Sequence, residues 1–94
     1  MLQVNGISLH VEDNGSGRPV LVLHGWPDSS YLWHKQIPFL VNNGFRAIAP
    51  DLRGFGRSDR AEGVAAYSLQ NAVGDVLGIL DAFGIDAVNI VGYD

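Results

Sequence analysis

Pro19-Val20-Leu21-Val22-Leu23-His24-Gly25-Trp26-Pro27 is an apolar run opened by a proline and closed by a Gly-Trp-Pro turn. Its apolar residues do not alternate with polar ones. The segment therefore reads as a strand buried on both faces, typical of the centre of a parallel sheet. A buried strand that runs into a Gly- and Pro-constrained loop is where open α/β sheets hold ligands, just beyond the carboxyl ends of the strands. AVNIVGYD (87–94) has the same design, an apolar strand followed by glycine and then a carboxylate. The rest of the chain is expected to bring these two strand ends together.

Upstream, Leu2 to Val4 and Ile7 to Val11 alternate apolar and polar residues about Asn5-Gly6, the strongest short signal for a hairpin with a type I′ turn. Asp13-Asn14-Gly15-Ser16-Gly17 reads as a second turn cluster. Downstream, Asp28-Ser29-Ser30 supplies capping residues for a helix with Trp33, Ile37, Leu40 and Val41 at helical spacing, closed by Asn43-Gly44. Pro38 interrupts it, so a short first turn and a new start, or a kink, is expected. FRAIAP (45–50) is a third strand, and 51–59 is a Gly-rich loop. Ser68 caps the clearest helix, with Leu69, Ala72, Val73, Val76, Leu77 and Leu80 on one face and Phe83-Gly84 at its end. Gly74 and Gly78 in that helix each cost about 1 kcal/mol relative to alanine, which implies close backbone packing. Strands separated by such helices form βαβ units with right-handed crossovers. The fold class is α/β: an antiparallel hairpin leading into a mostly parallel sheet with flanking helices.

Composition narrows the function. With 94 residues, 47% hydrophobic and 17% charged, the chain is globular and holds one domain at most. A net charge of −4 with scattered basic residues argues against nucleic acid as a partner. There is no cysteine, and no His/Cys/Asp/Glu cluster at metal-ligand spacing, so neither metal nor cofactor is expected. No apolar stretch approaches the roughly 20 residues that span a bilayer, and no secretory leader is visible. A cytoplasmic protein without membrane association is the expectation, and the oligomeric state leaves no signal.

The sharpest chemical signal is Gly92-Tyr93-Asp94. A strand that ends in Gly-x-nucleophile and turns abruptly holds a reactive side chain at the sheet edge. Aspartate in the place of the usual serine changes the chemistry. A carboxylate attacks an electrophilic carbon directly and leaves an ester for water to hydrolyse. The same residues also suit an ordinary strand-end turn. His24-Gly25-Trp26-Pro27 weighs toward the chemical reading, because the corresponding loop of such folds supplies a backbone N–H of the oxyanion hole. Gly25 lets the chain turn, and Pro27 locks the segment so that the Trp26 N–H stays aimed, with a cis bond before Pro27 a natural option. His24 reads better as a hydrogen-bonded strand-end support than as a base, while His10 and His34 read as surface residues. DLRGFGRSD (51–59) lacks the Lys-Ser/Thr of a P-loop and the third glycine of a dinucleotide fingerprint. An Asp51–Arg53 or Asp51–Arg57 contact holding this loop to the neighbouring strand end is expected instead.

HGWP (24–27), DLRGFGRSD (51–59) and VGYD (91–94), in this order and with a strand before the first and last, resemble the α/β-hydrolase superfamily, in its epoxide hydrolase and haloalkane dehalogenase branch. The resemblance covers the chain from the first hairpin to the last residue. It implies that Asp94 is the nucleophile, that the Trp26 N–H helps bind the oxyanion, and that the substrate is a small epoxide or organohalide, with water as the second reactant. An aromatic residue at the Trp26 position resembles epoxide hydrolases, whereas haloalkane dehalogenases often carry Asn or Glu there. Residues 28–33 are similar to the corresponding helix start of haloalkane dehalogenases, and haloacid dehalogenases also have an aromatic residue at the Trp26 position, so both substrates stay open. The family's His base, its acidic partner and its helical lid have no counterpart in these residues. Residues 1–94 are therefore expected to be an incomplete hydrolase core domain, inactive as it stands. The other reading is a truncated hydrolase fold that serves as a binding piece. Either way, apolar positions on the long helix and last strand should be more exposed than their sequence implies.

Overall fold

The computed structural model describes residues 2–25, 29–58, 60 and 69–92. Strand β4 (Arg18–Leu23) lies inside a four-stranded sheet, as its unbroken apolar run requires. The other elements are β1 (Leu2–Val4), β2 (Ile7–Leu9), β3 (Val11–Asn14), a 3₁₀ turn (Ser30–Trp33), α1 (Gln36–Asn42), β5 (Phe45–Pro50), α2 (Leu69–Ala82) and β6 (Asn89–Gly92). The sheet order is β3-β5-β4-β6, with β4 parallel to both neighbours and β3 antiparallel to β5. Strand β4 pairs Leu21 with Ile48 of β5 and Leu23 with Gly92 of β6. Carried two residues on, that register sets Leu23, Pro50 and Gly92 level, so the three parallel strands end on one line.

Alternation along the strands divides the core into two layers. Val20, Val22 and Ala49 face Trp33 and α1 on one side. Leu21 and Ile48 face Ile79 of α2 and Val4 and Leu9 of the hairpin on the other. The hairpin β1–β2 pairs as its sequence implies, with Asn5 at φ 50° and Gly6 at φ 83°. Pro38 sits near the start of α1, after a separate 3₁₀ turn capped by the Ser29 side chain, as the proline predicts.

Three expectations need correction. Residues 7–11 are not one strand. At His10 the chain changes sheet, because its N–H goes to Ser58 Oγ (2.8 Å) and its carbonyl accepts from the Asp51 N–H (2.8 Å). His10 is accordingly only partly exposed and bonds Glu12 at 2.8 Å. Asp13 and Asn14 extend β3 rather than opening a turn, since Asp13 takes a bidentate bond from Arg46 of β5, both contacts at 2.8 Å. That fork holds the Asp13 carboxyl below its ordinary range.

The third correction concerns α2. Its buried face takes in only part of the aliphatic stripe, Val76 packing on the core. Val73 and Leu77 are 49% and 56% exposed, whereas Asp75 and Ile79 are buried. The helix lays Gly74, Asp75, Gly78 and Ile79 against the hairpin because the glycines let the backbones approach. A Cβ at Gly78 would lie 2.3 Å from Cγ1 of buried Val4, while one at Gly74 would meet nothing nearer than 3.5 Å. Gly78→Ala is therefore expected to lower stability by about 1 kcal/mol, overpacking outweighing the gain in helix propensity. Gly74→Ala should raise it by up to about 1 kcal/mol. Urea denaturation of the two variants would show shifts of opposite sign.

The helix closes in a Schellman arrangement: Gly84 at φ 68°, its N–H to Asp81 and the Ile85 N–H to the Leu80 carbonyl (2.9 Å). Ser68, assigned as its cap from sequence, lies outside the described residues. The stripe left free on α2 forms, with Leu23, Leu52 and Ile90, an apolar groove of about 340 Å³. Together with Ile90 and Val91, 56% and 47% exposed on edge strand β6, it carries the exposure expected of the long helix and last strand. Among the described residues no helix is long and apolar enough to cross a membrane.

Candidate active site

The level strand ends place the loop after β4 beside the loop after β5. His24 directly follows β4 and is 4% exposed. Its Nε2 accepts the Leu52 N–H at 2.9 Å, so the ring proton sits on Nδ1, which donates to the Gly25 carbonyl at 2.7 Å. Phe55 packs edge-on at 5.4 Å. With both nitrogens engaged, the ring is a strut between two loops and has no nitrogen left to take a proton from water. Gly25 follows it, while Trp26, Pro27 and Asp94 lie outside the described residues.

Asp51 is a buried carboxylate at this edge, 2% exposed. Its Oδ1 accepts the Ser30 N–H at 2.6 Å and its Oδ2 the Arg57 N–H at 3.0 Å, while Ser58 Oγ donates to its carbonyl. Burial pushes the carboxyl up, but the N–H bonds from Arg57 and Ser30, the Ser30 hydroxyl and the charge of His10 outweigh it and hold it below the ordinary 3.8. A depressed carboxyl contributes stability above its unfolded pKa and loses it as pH falls through the folded one. Acid unfolding followed by fluorescence should therefore show stability falling below pH 3.8, and Asp51→Asn should flatten that limb.

The expected Asp51–Arg53 contact does not form, and the Asp51–Arg57 contact uses the backbone N–H rather than the guanidinium. Arg53 instead turns to α2 and binds Asp75 through Nε (2.6 Å) and Nη2 (2.7 Å), with Asn5 Nδ2 at 3.4 Å from the same carboxylate. This buried pair fastens the 51–58 loop to the helix and the hairpin. Sequence reasoning missed Asp75 and the reach of Asp51. The available signals were a carboxylate set between the two glycines of α2 and a charge placed directly after a buried strand. A polar cavity of about 270 Å³, lined among others by His10, Glu12, Tyr31, His34 and Arg57, opens beside Asp51. Among the described residues no group of three or more His, Cys, Asp or Glu could hold a metal ion.

A family model for the alpha/beta hydrolase fold matches residues 18–94. The chain belongs to that family. Among its curated relatives, epoxide hydrolase 2 of Siraitia grosvenorii is 50% identical over 93 residues, and an epoxide hydrolase of Caballeronia sordidicola is 45% identical over 93. Each match takes in 99% of this α/β hydrolase chain but only 29% and 28% of the relative. The crystal structure of an epoxide hydrolase from Vigna radiata superposes with a TM-score of 0.96 at 42% identity, over 99% of this chain and 30% of that one. The chain thus spans a little under a third of the length of the relatives it matches.

Proposed function

We propose that this α/β hydrolase chain carries the nucleophile of an epoxide hydrolase. The observation that carries the reading is identity of 45–50% to proteins named epoxide hydrolases, extending over 99% of the chain. That similarity favours an epoxide over the organohalide that the motifs alone leave open. The level ends of β4, β5 and β6 support it by bringing Leu23, Pro50 and Gly92 to one edge of the sheet.

In this reading an Asp94 carboxylate oxygen attacks an epoxide carbon. The ring C–O bond breaks, and the ring oxygen takes up a proton to give a hydroxyalkyl ester. Water then adds to the ester's acyl carbon. The negative oxygen of the tetrahedral intermediate is held by the Trp26 N–H, on a loop supported by His24, Gly25 and Pro27. Collapse breaks the acyl–oxygen bond, releases a vicinal diol and restores the carboxylate, for a balance of epoxide plus water to diol. The proton donor for the ring oxygen and the base for water are roles the family resemblance gives to residues without a counterpart here, so turnover needs the remaining length of the relatives.

The test joins residues 1–94 to the C-terminal part of the Vigna radiata enzyme and runs a single turnover in ¹⁸O-water. The expected product is unlabelled diol, with ¹⁸O left in the peptide that contains Asp94. Label in the diol would overturn the mechanism. Halide release from bromoalkanes in preference to epoxide opening would change the substrate class.

A further inference from the structure

The segment 24–30 is held at its two ends by two consecutive residues of another loop. At one end Leu52 donates its N–H to His24 Nε2 (2.9 Å), and at the other Asp51 Oδ1 accepts the Ser30 N–H (2.6 Å). Both grips are buried: His24 is 4%, Ser30 8% and Asp51 2% exposed. The second Asp51 oxygen is occupied by the Arg57 N–H (3.0 Å), and the Asp51 backbone is held by His10 and Ser58. The carboxylate therefore cannot swing away without breaking bonds on both sides.

We infer that Asp51 is a positioning residue for catalysis: with His24 it fixes both ends of the loop that, on the reading above, supplies an oxyanion N–H. The inference rests on that reading. A donor of this kind works only when held within about 0.5 Å of the position the oxyanion will occupy. Pinning both ends shortens the span over which the chain between them can vary. Ordinary loop anchoring would need only one such bond. Here a charged acceptor is buried to make the grip, and charge-assisted bonds are the stronger kind.

The two chemical steps depend on this donor unequally. Attack by the carboxylate on the epoxide carbon spreads charge onto the ring oxygen. Ester hydrolysis builds full negative charge on the acyl oxygen, the one that on this reading takes the Trp26 N–H. Loosening the grip should therefore slow hydrolysis more than alkylation and leave the ester to accumulate.

The experiment uses the same joined protein, rapid quench and intact mass to follow the ester on Asp94, comparing the parent with Asp51→Asn and Ser30→Pro. Asparagine keeps the size of the side chain but presents an NH₂ to one of the two N–H donors. Proline at position 30 deletes the donor on the opposite side, at the first residue of a helical turn where proline is tolerated, so it carries the test if Asp51→Asn does not fold. The expected result is hydrolysis slower by about 10- to 100-fold, alkylation within about threefold, and an ester peak equal in added mass to the epoxide. Equal slowing of both steps, as general loosening of the fold would give, overturns the inference, and so does no change in either. A parent that makes diol without any ester on Asp94 overturns the underlying reading, and the inference with it.

Discussion

Asp94→Ala, in the chain joined to the C-terminal part of the Vigna radiata enzyme, is expected to reduce diol formation by about 10⁴- to 10⁶-fold, the scale on which loss of a covalent nucleophile acts. The methyl group cannot attack, and the two buried carboxylates among the described residues are committed elsewhere. Asp51 uses both oxygens on backbone N–H groups, and Asp75 uses both on Arg53. What remains is water attacking a bound epoxide without the effective concentration of an oriented oxygen, worth about 10⁵–10⁸ M for well-placed groups. Substrate affinity should change little, since the variant keeps the pocket walls. Gas chromatography of the diol and intact mass of the protein check the prediction together. The variant should show neither product nor the added mass of an ester, and a retained ester would move the nucleophile elsewhere.

Asp75→Ala is expected to cost about 3 kcal/mol, because it removes the carboxylate that takes bonds from both Nε and Nη2 of a buried guanidinium. Arg53 and Asp75 side chains are 9% and 2% exposed, and the pair is bidentate. Removing Asp75 takes away the charge that offsets much of the desolvation of the guanidinium. Domains have about 5–15 kcal/mol in total, so a chain of this size would lose much of its folded population. The double change Asp75→Leu with Arg53→Met should recover most of the loss, since apolar pairs of similar volume replace buried ion pairs at little cost. Urea denaturation of the single and double variants measures this. A single variant within about 1 kcal/mol of the parent would show that water reaches the guanidinium.

Sequence and structure divide along physical lines. Several readings that rest on a local rule hold, whereas the alternation over 7–11 and the turn at Asp13-Asn14 gave way to contacts with β5 and the 51–58 loop. An unbroken apolar run makes β4 a central strand. Asn5-Gly6 makes a type I′ hairpin because both positions need positive φ. Pro38 splits a 3₁₀ turn from α1, and Phe83-Gly84 ends α2. The three motifs that mark the family are equally short strings, legible without knowing their partners.

The side-chain partners were not legible, because they are settled by what packs opposite. Nothing near Arg53 in sequence points to Asp75, 22 residues on. The Asp51 carboxylate finds the Ser30 N–H 21 residues back. Periodicity identified the aliphatic stripe of α2 but could not say which face meets the hairpin. The helix turned Gly78 inward because a Cβ there would collide with Val4, and left Val73 and Leu77 in an open groove. Hydrophobicity sets how strongly a face favours burial, and steric fit between elements distant in sequence decides which face is buried. For the same reason the chemistry of Asp94 could be proposed from the chain alone, whereas the grip of Asp51 and Leu52 on the loop after β4 became visible only once β4 and β5 lay side by side.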